Sequence, residues 1–343
     1  MRLGAERSWD EPGAFEVASG VYRIPLPLPG DGLRAVNVYA IETQSGLTLI
    51  DGGWALAESQ QLLKAALAEI GYDVRDITRF LVTHLHRDHY TQAAVLSREI
   101  GVPIALGLGE QASLRMLLEP KGEADPTITR LREAGAPELA AHWAQVATWP
   151  PADSSVWRLP EEWLSSDTQI TLPGRRLEAV ATPGHTQGHY VFADLDEGLL
   201  FAGDHILPSI TPSIGFEPVH APHALADFLN SLAKVRNLPD LRLLPAHGPV
   251  KGSVHKRVGE LLEHHATRLQ MCLDVATAGF DTAFAVAREL PWTRSMRSFA
   301  QLDVFNKALA TMETSAHLEV LVARASLVSS CHEGVIRYTP TGP

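Results

Sequence analysis

The feature that most constrains this chain is the heptapeptide Thr83-His84-Leu85-His86-Arg87-Asp88-His89, which ends the apolar run of residues 77–83. Packing does not explain three histidines and an aspartate this close together after a predicted strand, and imidazole and carboxylate groups are ligands that zinc, iron and manganese ions prefer. Alternation in an extended segment places His84 and His86 on the same side, where both can bind one ion. Asp88 and His89 follow as the chain turns into a helix, where they can face a second ion. The heptapeptide therefore predicts a fold built around a metal centre.

Three further candidate ligands stand directly after later apolar runs. His185 lies in Thr182-Pro183-Gly184-His185-Thr186, where proline and glycine predict a tight turn that can aim the ring. Asp204 lies in Gly203-Asp204-His205, and His247 lies in Pro245-Ala246-His247-Gly248. Because α/β folds gather their chemistry beyond the ends of buried strands, we expect these side chains to meet the heptapeptide.

The order of the predicted elements indicates an α/β fold with two additions. Strands and helices alternate over residues 15–106 and again from 168 to 244. Residues 115–166 interrupt this alternation with a helical pattern that contains several prolines and tryptophans, and the chain is mostly helical after Gly252. We therefore predict a catalytic domain over residues 1–252, with a helical lid insertion at 115–166, and a C-terminal domain over residues 253–343.

These motifs, in this order, resemble those of the metallo-beta-lactamase superfamily over about residues 15–250, and Asp51 in Leu49-Ile50-Asp51-Gly52-Gly53 matches that family's early structural aspartate. The resemblance implies a four-layer αβ/βα sandwich with two divalent metal ions at one edge of two packed sheets. It assigns His84, His86 and His185 to one ion. It assigns Asp88, His89 and His247 to the other, with Asp204 bridging both. The ions are expected to be zinc, with iron or manganese as alternatives, since the same ligands suit all three.

The resemblance also implies hydrolysis. Water that bridges two cations has a pKa lowered towards neutrality and supplies a hydroxide nucleophile, with Asp88 and Asp204 as the catalytic carboxylates. Family members that degrade antibiotics lack the bridging aspartate, and many have cysteine there, so Asp204 argues against β-lactam hydrolysis as the main activity. The full ligand set resembles the glyoxalase II, ribonuclease Z and lactonase branches instead.

Several side chains near these motifs are open to two interpretations. Tyr90, where the family often has a small residue, is either a tolerated variation or a substrate contact. His189 and His205 flank the ligands and are either structural or substrate-binding groups that can donate protons. His220 and His223 follow Pro218 and can line the rim of the pocket. The remaining histidines of interest are expected at the surface (His264, His265) or in a structural role (His317).

The tryptophans of the insertion, Trp143, Trp149, Trp157 and Trp163, either build a small core of their own or form an apolar wall for an acyl or aromatic substrate. The tail resembles the winged-helix region of a group of metallo-beta-lactamase-fold proteins in its pattern of long helix, short helix, long helix and hairpin. Residues 253–343 contain nine Lys/Arg and nine Asp/Glu, and a module without a basic stripe is a poor DNA reader. The tail is therefore expected to support the pocket or to form a homodimer contact.

Charge and cysteine content limit the partners of this chain. A formal net charge of −11 disfavours nucleic acid and anionic membranes, which bind positive surfaces. Two cysteines, no apolar leader and no membrane-length apolar stretch predict a cytoplasmic protein. The sequence thus favours a dinuclear metal-dependent hydrolase of a small ester, with a thioester or lactone first. A ribonuclease or phosphodiesterase is the alternative, and a β-lactamase or a non-catalytic binding protein fits less well.

Overall fold

Two β-sheets form the centre of the computed structural model, which describes residues 8–30, 32–119, 125–147, 153–293 and 296–342. The first sheet has seven strands in sequential order: β1 (Phe15–Ala18), β2 (Val21–Pro27), β3 (Ala35–Thr43), β4 (Gly46–Ile50), β5 (Ile77–Leu81), β6 (Ile104–Gly107) and β7 (Glu162–Leu164). The second sheet has the strands β8 (Thr168–Leu172), β9 (Arg175–Ala181), β10 (Tyr190–Asp194), β11 (Leu199–Gly203) and β12 (Arg242–Pro245), in the order β12-β11-β10-β9-β8.

Helices cover the outer face of each sheet. The α-helices in the described part of the chain are α1 (Ala57–Glu69), α2 (Arg87–Ile100), α3 (Gln111–Leu118), α4 (Pro126–Glu133), α5 (Pro137–Val146), α6 (Ala224–Arg236), α7 (Val254–Thr277), α8 (Ala283–Glu289) and α9 (Val304–Ala323). Helices α1 and α2 pack on the first sheet, and α6 packs on the second. Between the sheets lies a third apolar layer, in which Tyr39 meets Phe201 edge to face at 5.3 Å between ring centroids. The predicted four-layer αβ/βα sandwich is confirmed.

The sheet topology follows from the connections. Strands β1 to β4 are antiparallel neighbours joined by short turns, whereas β4 to β7 run parallel. Parallel neighbours need a crossover, and α1 and α2 supply the first two. In the second sheet only β11 and β12 run parallel, with α6 as their crossover. The carboxyl ends of β5, β9, β11 and β12 are thereby brought to one edge of the sandwich, where every predicted ligand follows.

The insertion is helical only in part. Residues 115–166 contain the end of α3 and all of α4 and α5, but Glu162–Leu164 form β7, the edge strand of the first sheet. The prediction of a helical segment is wrong at this end because three residues are too few to show a period, and pairing with the free edge of β6 decides their conformation. Trp143 and Trp157 are buried in separate cores, and Trp163 packs against the core of the first sheet. Trp149 lies outside the described residues.

The tail has the predicted order of elements. The long helix α7, the short helix α8 and the long helix α9 precede a hairpin of β13 (Leu327–His332) and β14 (Val335–Pro340). Apolar residues of α7, α8 and α9 share one continuous core with α5, α6 and the outer face of the second sheet. The tail therefore packs on the catalytic region through buried surface, while its likeness to a winged helix and the boundary at residue 252 stay predictions.

No helix in the described part of the chain is long and apolar enough to cross a lipid bilayer.

Candidate metal centre

The heptapeptide leaves β5 in an extended conformation and enters α2 at Arg87. Thr83 fixes its start, because its backbone N–H donates to Oδ1 of Asp51 at 2.8 Å and its hydroxyl donates to the same carboxylate at 3.0 Å. His84 Nε2 then lies 2.9 Å from His86 Nδ1. The two rings converge on one point, as alternation along the strand predicts.

Two later loops complete a first group of ligand atoms. His185 Nε2 lies 3.0 Å from His86 Nδ1 and 3.5 Å from Oδ2 of Asp204. The four ligand atoms of His84, His86, His185 and Asp204 all lie within 4.8 Å of one another. The structure thus brings together the three histidines predicted for one ion and one oxygen of the predicted bridge.

A second group forms around the other oxygen of Asp204. His89 Nε2 lies 3.6 Å from both Asp88 Oδ2 and Asp204 Oδ1. His247 Nε2 lies 3.4 Å from Asp88 Oδ2 and 3.3 Å from Asp204 Oδ1. Asp204 therefore turns one oxygen to each group, which is the arrangement required of a bridging carboxylate.

The separations around Asp204 Oδ1, 3.6 Å to His89 Nε2 and 3.3 Å to His247 Nε2, fit ligands of a shared cation better than hydrogen bonds. Two ligand atoms at about 2.1 Å from a tetrahedral ion lie about 3.4 Å apart, close to the distances around Asp204 Oδ1. Three of the atoms concerned, His89 Nε2, His247 Nε2 and Asp204 Oδ1, are buried without a hydrogen-bond partner among the described residues. Burying polar atoms in this way is costly, and a cation between them removes the cost. The residues present therefore fit two divalent metal ions.

Hydrogen bonds behind the ligands fix which ring nitrogen faces the centre. His185 Nδ1 donates to the carbonyl of Ser213 at 2.7 Å, and His247 Nδ1 donates to the carbonyl of Ala35 at 2.8 Å. His89 Nδ1 is paired with Oδ2 of Asp51 at 2.9 Å. Each bond occupies Nδ1 and leaves Nε2 turned inward, where it can bind a metal ion. Asp51 thus supports both Thr83 and His89, in agreement with the structural role that the resemblance implies.

The electrostatics of the site favour bound cations. Burial and the neighbouring histidines hold the pKa of His84 well below its usual range, and they lower the pKa of His86 to about 3. These rings are therefore neutral, the form that binds metal. Burial lowers the pKa of His89, but Asp88, Asp51 and Asp204 outweigh it and raise the pKa to about 10. Three carboxylates around one imidazole attract positive charge, which metal ions can supply in place of a proton.

A family model described as the metallo-beta-lactamase superfamily matches residues 31–247 of this chain. The chain belongs to the metallo-beta-lactamase superfamily. It is 30% identical over 301 residues to a "Beta-lactamase-like protein 2 homolog" of Caenorhabditis elegans, covering 86% of this chain and 85% of that protein. A crystal structure of a metallo-beta-lactamase family protein from Thermus thermophilus superposes with a TM-score of 0.77 at 26% identity, covering 95% of this chain and all of the other. An "Atrochrysone carboxyl ACP thioesterase" of Aspergillus fumigatus is 24% identical over 266 residues, or 77% of this chain and 67% of that protein.

Membership in the metallo-beta-lactamase superfamily makes this chain a metal-dependent hydrolase. The structure brings together, in two groups that could each hold a metal ion, the seven residues predicted as ligands: His84, His86, Asp88, His89, His185, Asp204 and His247.

The three side chains considered as substrate contacts, Tyr90, His189 and His205, are all buried. Tyr90 is fully buried, stacks on Trp157 at 6.1 Å and donates its hydroxyl to the carbonyl of Arg158 at 2.7 Å. It anchors the insertion to α2 and presents no surface to a substrate. The idea that it contacts substrate is therefore not supported, and a helix-start variation that packs inward describes it better.

His189 and His205 lie behind the ligands. His189 Nε2 accepts a hydrogen bond from the backbone N–H of Asp204 at 3.2 Å, and its Nδ1 lies 2.9 Å from the hydroxyl of Thr182. His205 packs edge to face on Phe228 at 5.0 Å, and both histidines are fully buried. This burial gives no support to the suggested substrate contacts, and His189 instead binds the backbone of Asp204.

The other histidines are placed as follows. His265, predicted at the surface, is fully buried and its Nδ1 lies 3.2 Å from His317 Nε2, whereas His264 is exposed as predicted. The surface prediction fails for His265 because α9 covers that face of α7. His317 is buried between the helices, consistent with a structural role. His220 and His223 are exposed at the loop before α6.

Sequence reasoning missed a set of buried polar side chains that holds the loop carrying His185. Glu110 accepts a hydrogen bond from the hydroxyl of Thr186 at 2.5 Å, and Glu217 accepts one from the backbone N–H of Gln187 at 3.1 Å. Arg130, from the insertion, donates to the carbonyls of Gly215 and Glu217. None of these residues belongs to a motif, and no pattern in the sequence marks them. They connect the insertion to the loop that presents His185.

The buried pair Glu110 and Glu217 predicts a distinctive pH dependence of stability. Burial raises the pKa of Glu110 to about 7, and burial together with Glu110 raises the pKa of Glu217 to about 8. Because these carboxyls bind protons more tightly in the folded chain, their contribution to the free energy of unfolding is present at acidic pH and is lost as pH rises through this range. We expect the free energy of unfolding to decrease less between about pH 5 and pH 9 in Glu217→Gln than in the unmodified protein. Urea unfolding midpoints at both pH values measure this difference.

The exposed Glu289 provides the control for this comparison. Glu289→Gln removes the same charge and should leave the pH dependence of the unfolding midpoint unchanged. If Glu217→Gln shows the same dependence as Glu289→Gln, the two buried carboxyls do not titrate as described.

Proposed function

We propose that this chain hydrolyses a small ester-type substrate, a thioester before a lactone, with two zinc ions. The observation that carries the proposal is the pair of ligand groups joined by the two oxygens of Asp204. When bound, the ions would activate water and polarise the carbonyl oxygen of the substrate. His84, His86 and His185 would hold one ion, Asp88, His89 and His247 the other, and Asp204 would contact both.

Asp88 is the carboxylate best placed to act on the attacking water. Its side chain is 15% exposed, compared with 9% for Asp204, so it is the more accessible of the two. Burial raises the pKa of Asp88, but His89, His247 and His86 outweigh it and lower the pKa below its usual value. Asp88 therefore stays ionised at neutral pH and can accept a hydrogen bond from the water that attacks.

The surroundings of the ligands favour substrates with a good leaving group. His189 and His205, the two histidines considered as proton donors, are fully buried and lie behind the ligands. A leaving thiol, with a pKa near 8.5, departs without a strong acid, whereas an amine or an alcohol needs a proton. The name of the Aspergillus fumigatus relative, a thioesterase acting on a carrier protein, adds support.

The remaining parts of the proposal concern partners and location. A small-molecule substrate fits a chain whose charge is −11, and a homodimer through the tail is proposed from the sequence alone. Cys272 is buried and Cys331 is exposed, and both are free thiols, as in a reducing compartment such as the cytoplasm.

A substrate panel tests the proposal directly. Metal-replete protein is incubated with acyl thioesters, lactones, aryl esters and single-stranded RNA, and the initial rates are compared with those of His84→Ala. We expect turnover of thioesters first, and its loss in His84→Ala because one ion loses a ligand. RNA cleavage without ester turnover would favour the phosphodiesterase alternative, and no turnover of any ester would reject the proposed activity.

A further inference from the structure

Arg87 is the one residue of the heptapeptide between His86 and Asp88, and its side chain stacks on a tryptophan. Its guanidinium carbon lies 4.1 Å from the ring centroid of Trp54. Arg87 is exposed, and Trp54 is half-buried. Consecutive Cα atoms are about 3.8 Å apart, so the backbone of Arg87 is directly beside those of two metal ligands. The backbone that carries this positive charge therefore lies between the backbones of His86 and Asp88.

Trp54 is held against α2 by the segment before it. The backbone N–H of Gly52 donates to the carbonyl of His89 at 2.8 Å, and a Cβ at Gly52 would lie 2.4 Å from the backbone nitrogen of Ala93. Only glycine allows this close approach. The indole is thereby placed beside the first turn of α2, and the stacked guanidinium loses little further freedom when it binds a ligand.

The guanidinium has no carboxylate partner in the part of the chain that the structure describes. Seven other arginines there form ion pairs, and others such as Arg98, Arg115 and Arg288 form none; the seven are Arg34, Arg79, Arg158, Arg175, Arg176, Arg257 and Arg337. The sequence has 40 acidic and 29 basic residues, so an unpaired arginine beside a metal centre is not caused by a shortage of carboxylates. The N–H groups at the edge of Arg87 are available to an external anion.

We propose that Arg87, supported by Trp54, is a specificity-determining residue that binds an anionic group of the substrate, a carboxylate or a phosphate, near the ester that is cleaved. This inference rests on the proposed function. Guanidinium binds both anions through two parallel N–H donors, and charge-assisted bonds of this kind are about twice as strong as neutral ones. The substrate class is thereby narrowed from esters in general to anionic esters and thioesters.

Matched pairs of substrates test the role of Arg87 and distinguish the two anions. One pair is a succinyl thioester and the same thioester with its free carboxylate methylated. The other pair is an acyl thioester that carries a phosphate group and the same thioester without the phosphate. We expect the unmodified protein to prefer one or both charged members, and Arg87→Ala to raise the KM for the preferred anion roughly tenfold or more while the neutral partners keep their kinetic constants. Arg87→Lys should restore part of the preference, because lysine keeps the charge but not the planar pair of donors.

Arg288 provides the matched control, since it is also exposed, lies over an aromatic ring (Phe284, at 5.8 Å) and belongs to the tail. Arg288→Ala should behave as the unmodified protein. Equal loss of activity towards charged and neutral substrates in Arg87→Ala would overturn the proposal, because it would indicate a structural role. The absence of any charge preference in the unmodified protein would also overturn it.

Binding measurements separate this inference from the proposed function. Titration calorimetry with succinate and with inorganic phosphate on the metal-loaded protein should show weaker binding to Arg87→Ala than to Arg288→Ala for the preferred anion. If no ester is hydrolysed but this difference is found, the hydrolase proposal fails and the anion site stands. If esters are hydrolysed and both variants bind the anions equally, the anion site is rejected.

Discussion

Replacing Asp204 by alanine should abolish hydrolysis and lower the metal content from about two ions per chain. Among the residues that the structure describes, only Asp204 has an oxygen beside each ligand group, at 3.5 Å from His185 Nε2 and 3.3 Å from His247 Nε2. Without it, two cations would face each other with less compensating charge. We expect turnover to fall by about 10³-fold or more, at least as much as the loss of one donor to a developing oxyanion. Elemental analysis and rates on the best ester substrate measure both effects.

The control for this variant is Asp196→Ala, which removes a carboxylate from an exposed pair with Arg176. Surface pairs of this kind contribute little to stability, so metal content and turnover should be unchanged. Two ions and full activity in Asp204→Ala would show that the assignment of ligands is wrong.

Replacing Gly184 by alanine should displace the loop that carries His185. Gly184 has φ +136°, and an added Cβ would lie 2.4 Å from the Cα and 2.5 Å from the backbone nitrogen of Phe228. Strain at such a φ costs about 1–3 kcal/mol, and forced overpacking costs about as much again. We expect a lower melting temperature together with loss of metal, because His185 can no longer meet His86. Thermal unfolding and elemental analysis of the same sample measure both.

Gly198→Ala isolates the effect of the close approach. Gly198 also has a positive φ, +67°, but a Cβ added there would have no described atom within 4 Å. This variant should carry only the backbone strain and retain its metal. Equal stability and equal metal content in the two variants would mean that α6 does not confine the loop of His185.

Much of the fold could be predicted because local signals agree with the tertiary structure. The predicted order of long helix, short helix, long helix and hairpin in the tail matches α7, α8, α9 and the hairpin of β13 and β14. The hairpin of β13 and β14 turns at Glu333-Gly334, as the glycine suggests. The metal ligands could be predicted for a different reason: they stand at the ends of strands, and strand ends at one edge of a sandwich meet in space whatever lies between them.

The residues that support the ligands could not be predicted in this way. Ser213 and Ala35 hold His185 and His247 through backbone carbonyls, which every residue type possesses. The burial of Tyr90 and His265 depends on which segment covers them, and that is decided by contacts between parts of the chain far apart in sequence. Sequence patterns thus identify the candidate metal ligands and miss the contacts that orient them.

The apolar core shared by the second sheet and the tail also sets an order of events during synthesis. All seven ligands precede residue 248, whereas α9, which covers this core, begins at Val304 and so emerges at least 57 residues after His247. At about 5–20 residues per second, the ligands are complete roughly 3 to 11 s before the first residue of α9 is made. During that interval the growing chain carries all seven candidate ligands, and its second sheet is covered by α6 but not yet by α9. The set of candidate ligands and the core that α9 completes are therefore finished at different times during synthesis.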